Sequence, residues 1–213
     1  MIGSMMAITA VLVTTTAADL DRLLLDVRAT SFPELSSLSI ATVRFQSPSV
    51  FFMSSFDVVA ALDDDEPLHL LLSMNDAVLD DPPSELAIRA VLAHELGHSL
   101  DFVRRRQRAG AAGLMSLVPA LLWPPAEAEM ERATDLIAVA RGYGPGLQAY
   151  RAWLYGRLDK DAVAEKRRVY YSPLELDLLT RLASACPASF AAIVTPPLDA
   201  RAIVALGAPD CFD

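Results

Sequence analysis

The sequence predicts an α+β protein with a small mixed sheet early in the chain and a mostly helical second half. Strand-like alternation beyond the first residues is confined to Ile40–Gln46 and Leu68–Met74, whereas apolar residues at three- and four-residue spacing dominate after residue 85. The boundary between the two regimes is a strongly apolar helix that carries the pentapeptide HELGH. With 213 residues, 53% of them hydrophobic, the chain can bury a sizeable core. We read residues 1–213 as one domain, with a sheet-bearing upper part (1–101) and a helical lower part (102–213). A net charge of −9 argues against a nucleic-acid partner, which would need a basic face.

In chain order, Thr9–Thr16 (TAVLVTTT) is β-branched and reads as a strand. The first charge in the chain is Asp19, so a secretory signal lacks its basic n-region and a cytoplasmic location is expected. Ala17–Ala29 has Leu20, Leu23, Leu24 and Val27 on one helical face. Ile40–Gln46 alternates as a strand and ends at Ser47-Pro48, and Val50–Leu62 reads as a further strand or hairpin arm. Asp63–Pro67 is an acidic turn without the glycine and spaced oxygens of a calcium loop. Leu68–Met74 reads as another strand, and His69 within it has no partner at ligand spacing.

The next helix carries the chemistry. Asp80-Asp81-Pro82-Pro83-Ser84-Glu85 is a start signal with Ser84 as N-cap, and Leu86, Ile88, Val91, Leu92 and Leu96 form an apolar stripe. His94 and His98 stand at i and i+4, so both imidazoles leave one helical face and can reach one divalent ion. Glu95 lies beside them, where a general base for metal-activated water is needed. Gly97 removes a side chain where substrate or a neighbouring backbone would come close.

After this helix, Arg104-Arg105-Arg106-Gln107-Arg108 reads as a last helical turn whose cations face the negative dipole end. Joined to the uncharged stretch Ala109–Trp123, the region 104–123 is also a candidate for peripheral contact with an anionic membrane surface. That stretch is too short to span a bilayer, which takes about 20 residues. The following helix, Pro125–Ala140, should supply a third ligand, since a catalytic zinc takes three protein ligands and one open position. Glu127, Glu129 and Glu131 are all available. Spacing selects Glu131, because Glu131 and Asp135 are i and i+4: one can ligate while the other hydrogen-bonds a ligating histidine. Glu129 is the fallback. Gly146–Arg157 and the segment opening at Ser172-Pro173-Leu174-Glu175 read as helices, the second with a capping box, and Pro197–Leu206 as the last. Cys186 and Cys211 permit one disulfide or two buried thiols.

HELGH, then Glu131-Arg132-Ala133-Thr134-Asp135, then Ala140-Arg141-Gly142-Tyr143-Gly144-Pro145, resembles the gluzincin clan of zinc metallopeptidases. The resemblance is to the group containing the HtpX-type heat-shock peptidases and the CAAX prenyl proteases, in a small soluble form, and covers roughly residues 68 to 206. The late T-H-P-P…R segment of that group is matched by Thr195–Arg201 with its histidine missing, and Thr134 stands where the group has alanine. The resemblance implies a zincin-like fold and one Zn2+ held by His94, His98 and Glu131, with Asp135 behind them. It implies Glu95 as general base in peptide-bond hydrolysis, and a peptide or protein substrate aligned on Leu68–Met74 as the sheet edge. The developing oxyanion needs a donor besides the metal, for which Arg201, Tyr143, Tyr170 and Tyr171 are the candidates. The alternative expectation is a latent or catalytically weak domain of the same fold that serves as a protein-binding module.

Overall fold

The computed structural model describes residues 16–187 and Phe190. The elements are α1 (Ala17–Ser31), a 3-10 turn (Pro33–Leu35), β1 (Ile40–Phe45), β2 (Phe52–Phe56), α2 (Val58–Ala61), β3 (Leu70–Asn75), α3 (Ala77–Asp80) and α4 (Glu85–Met115). They continue with α5 (Val118–Leu122), α6 (Pro124–Ala140), α7 (Gly144–Tyr155), α8 (Lys160–Val169) and α9 (Pro173–Ala185). The architecture is a three-stranded mixed sheet followed by helices.

Helix starts follow local chemistry. Thr16 with Asp19, and Ser172 with Glu175, form capping boxes on α1 and α9, and Ser84 accepts the Ala87 N–H at the head of α4. Thr16 is therefore a cap and not part of a strand; the rest of the expected strand Thr9–Thr16 lies outside the described residues. Leu20, Leu23, Leu24 and Val27 of α1 are buried. The apolar stretch Val50–Leu62 divides into β2 and the single turn α2, because the Asp57 side chain accepts the Val59 and Ala60 N–H groups and so starts a helix.

Strand order corrects one expectation. The sheet runs β1-β3-β2, with β1 parallel and β2 antiparallel to β3. The stretch Leu68–Met74 is thus the centre of the sheet, with both hydrogen-bonding sides taken, and β2 is the edge beside the long helix. Centrality explains its composition: Leu70, Leu72, Ser73, Met74 and Asn75 are all buried. Asn75 ends the strand by donating to the Ser47 and Val50 carbonyls and accepting from the Ala77 N–H.

Every residue of α4 from 90 to 100 is buried, so this helix is enclosed on all sides. It packs on α1, α6, α7 and β2. Leu86 is the exception to the expected stripe; it is 55% exposed, one position off the inward face. The helix also outlasts the arginine run, where an end was expected. It kinks at Ala109 and Gly110, with Gly110 at φ 59°, and then resumes to Met115. A Cβ on Gly110 would lie 2.7 Å from the Asp64 carboxylate, so the acidic turn sits where the kink needs glycine. Arg106 donates to the Ala61 and Asp63 carbonyls and pairs with Asp64 at 3.2 Å, while Arg105 pairs with Asp101 at 2.6 Å. Arg106 thus ties the helix to the acidic turn, and Arg105 reaches past the kink to Ser116 Oγ at 2.7 Å. Among the described residues no helix is long and apolar enough to cross a membrane. Cys186 is disulfide-bonded, while Cys211, the helix expected at Pro197–Leu206 and Thr195–Arg201 lie outside the described residues.

Leu72 is fully buried in the central strand. Leu72→Ala should therefore cost about 2–5 kcal/mol of stability, read as a lower urea midpoint at unchanged slope.

Candidate metal centre

Helices α4 and α6 pack side by side, and their contact begins with a missing side chain. A Cβ on Gly97 would lie 2.8 Å from Thr134 Cγ2. The closest neighbour that Gly97 admits is thus the Thr134 side chain on α6, with the Thr134 carbonyl oxygen also near at 3.6 Å. One turn from this contact the helices present their polar groups to each other. Glu131 Oε2 lies 3.0 Å from His94 Nε2 and 3.1 Å from His98 Nε2, and the two Nε2 atoms are 3.2 Å apart. Among the described residues, His94, His98 and Glu131 form a buried group that could hold a metal ion.

The far side of each ring fixes which nitrogen faces inward. His94 Nδ1 lies 2.8 Å from Asp135 Oδ1, and a carboxylate accepts, so Nδ1 carries the hydrogen and Nε2 is left free to ligate. Thr134 Oγ1 donates to the Met130 carbonyl at 2.9 Å, so its lone pair faces His98 Nδ1 at 3.3 Å. The same tautomer results. A tetrahedral site with bonds of about 2.0–2.1 Å has ligand–ligand edges of about 3.3–3.4 Å. The triangle here needs to open by only a few tenths of an ångström, and two imidazoles with one carboxylate suit zinc chemically.

The charges fit the same picture. Burial disfavours an ionised Glu131, but His98 and His94 outweigh it and hold its carboxyl well below the usual range. Burial likewise opposes a charge on His94, yet Asp135 and Glu131 raise its pKa to about 10, so a cation must displace a proton there. Burial pushes the Glu95 carboxyl up, against the opposing pull of His94 and His98. The Ser54 main-chain N–H lies near enough to Glu95 to oppose that rise.

That contact locates the edge of the sheet relative to the site. The Asp57 N–H donates to His69 and the Asn75 N–H to Phe51, at 2.9 and 2.8 Å. Alternation along an antiparallel strand then turns the main-chain groups of Phe52, Ser54 and Phe56 away from β3. Among the described residues β2 has no second neighbour. Its free edge and the four polar residues of α4 and α6 share a cleft of about 700 Å³, whose wall includes Phe52, Phe56, Phe102 and Leu114.

Comparison with protein-family models, curated proteins and solved structures finds no match for this chain.

The other expected residues are distributed unevenly. Glu129 is exposed, Glu127 lines the cleft without joining the ligand group, and His69 is exposed on the sheet. Tyr143, expected at the site, is a correction: its hydroxyl bonds Ser31 Oγ at 2.8 Å, because the turn that follows α6 lies against the end of α1. Tyr171 is fully buried and is not part of the cleft wall. Tyr170 does line the cleft, with its ring centre 6.0 Å from that of His94. Arg201 lies outside the described residues. Sequence reasoning missed Arg151, which pairs with Asp135 at 2.9 Å. The signal was there: Arg151 stands four residues after Leu147 and three before Leu154, a cation on an apolar helical face.

Two outcomes test this geometry. Gly97→Ala should destabilise by about 1–3 kcal/mol through overpacking, and adding Thr134→Ser, which removes the methyl but keeps the hydroxyl, should recover most of the loss in a thermal melt. Zinc at a hundred times its dissociation constant should stabilise the protein by about 2.7 kcal/mol. That gain should vanish in Glu131→Gln.

Proposed function

We propose that the chain is a zinc-dependent metalloendopeptidase of the gluzincin type that cleaves extended polypeptide segments. The observation that carries this reading is the meeting of two histidine Nε2 atoms and the Glu131 carboxylate in one cleft with Glu95 and the free edge of β2. A bare metal-storage site would not need the buried extra carboxylate, whose isolation from solvent is costly. His94, His98 and Glu131 would hold the zinc ion, which would supply Lewis acidity and lower the pKa of water.

The remaining steps belong to the protein. A substrate strand pairs with the outward main-chain groups of Phe52, Ser54 and Phe56, which fixes its register without reading its sequence. Glu95 takes the proton of the attacking water and returns it to the leaving amine. Raising its pKa by burial suits it to both halves of that transfer. Tyr170 donates to the oxyanion: burial raises its pKa well above the ordinary value, so it keeps its proton at neutral pH. Phe52, Phe56, Phe102 and Leu114 make the cleft favour large apolar side chains next to the scissile bond.

Glu95→Gln should abolish cleavage of an unfolded protein substrate while zinc binding persists. Tyr170→Phe should lower kcat by on the order of 10²-fold, the usual effect of removing one oxyanion donor. A wild-type chain that binds zinc but cleaves no unfolded substrate would sink the peptidase reading and leave the binding-module alternative.

A further inference from the structure

Arg151 is 3% exposed, and its presence in the interior is not explained by hydrogen bonding. Nη2 donates to Asp135 Oδ1, the same oxygen that receives the His94 Nδ1 hydrogen. Among the described residues, Arg151 Nε and Asp135 Oδ2 have no hydrogen-bond partner. An incompletely satisfied buried ion pair is a poor source of stability, and an apolar pair of equal volume would serve a purely structural end better. The guanidinium has a second contact. Its carbon lies 4.1 Å from the centre of the Tyr170 ring, close enough for a face-on cation–π contact. One side chain therefore touches both the acid that orients a ligand and a phenol that lines the cleft.

We propose that Arg151 is a positioning residue for the metal centre. By drawing Asp135 Oδ1 into a shared contact, it holds that oxygen under His94 Nδ1 and keeps the ring turned with Nε2 toward Glu131. By lying flat against Tyr170, it fixes the height of that ring beside the same ligands. An arginine suits the double task because its plane stacks while its edge donates; a lysine ammonium can donate but not stack. The proposal rests on the reading that His94, His98 and Glu131 hold zinc, and its first half is independent of peptide hydrolysis.

The test is a zinc-affinity cycle, read by competition with a chromogenic chelator at fixed pH on the full chain. Helical content and melting of the EDTA-treated protein serve as fold controls. Arg151→Met should weaken zinc binding by about 10–100-fold, the range seen when a ligand's supporting hydrogen bond is lost. Asp135→Asn should do the same, and the double variant should be no weaker than Asp135→Asn alone. Zinc affinity within about two-fold of wild type in Arg151→Met, or losses that multiply in the double variant, overturns the proposal. Should Arg151→Met not fold, Arg151→Lys decides: its smaller loss should disappear in the Asp135→Asn background, and an equal loss in both backgrounds overturns it. If the chain cleaves peptide, Arg151→Lys should also lower kcat with KM unchanged, and should add nothing to Tyr170→Phe. A chain that cleaves nothing removes this last readout but leaves the zinc cycle to stand or fall by itself.

Discussion

Everything at the candidate centre depends on how closely α4 and α6 approach at Gly97 and Thr134. The histidines are fixed to α4 and Glu131 to α6, so the separation of the two helix axes sets the size of the ligand triangle. Helices usually pack 8–10 Å apart, with small residues at the near end of that range. Thr134 contributes twice: its methyl fills the space that Gly97 leaves, and its hydroxyl faces His98 Nδ1. One residue therefore sets both spacing and tautomer.

A second constraint is electrostatic. His94, His98, Glu95, Glu131, Asp135 and Arg151 are all buried, within two adjoining helices and a third packed against them. Such a cluster is expensive unless its charges compensate one another. Asp135 faces Arg151 and His94, Glu131 faces both imidazoles, and a divalent cation held there would add the positive charge that lets Glu95 ionise as well. Leu92, Leu96 and Leu136 on the same two helices are fully buried, so the hydrogen bonds within the cluster act in a low-dielectric surrounding that strengthens them.

Much of this was legible in the sequence because it is local. The four buried residues of α1, the caps at Ser84 and Ser172, and the pairing of Glu131 with Asp135 follow from spacing within one helix. What was not legible depends on distant partners. The stretch Leu68–Met74 alternates like any strand, and only the pairing of β1 and β2 on its two sides makes it central. Gly110 is a visible breaker, but the resumption of α4 beyond it rests on Asp64, far away in the chain. Tyr143 sits in a recognisable turn motif, yet its direction is set by Ser31 on α1. Arg151 marked itself as a cation on an apolar face, a signal that points to a buried partner without naming it.

The free edge of β2 lies along the floor of a cleft instead of on an open flank of the molecule. An unpaired strand edge ordinarily invites another sheet to join it, with aggregation as the hazard. Here the unpaired groups share a cleft with the buried polar cluster. The proposed substrate pairs with that edge as an extended strand, a form that intact helices and fully paired sheets do not offer. On the proposed reading, the protein would spare intact structures and act on what has already come undone.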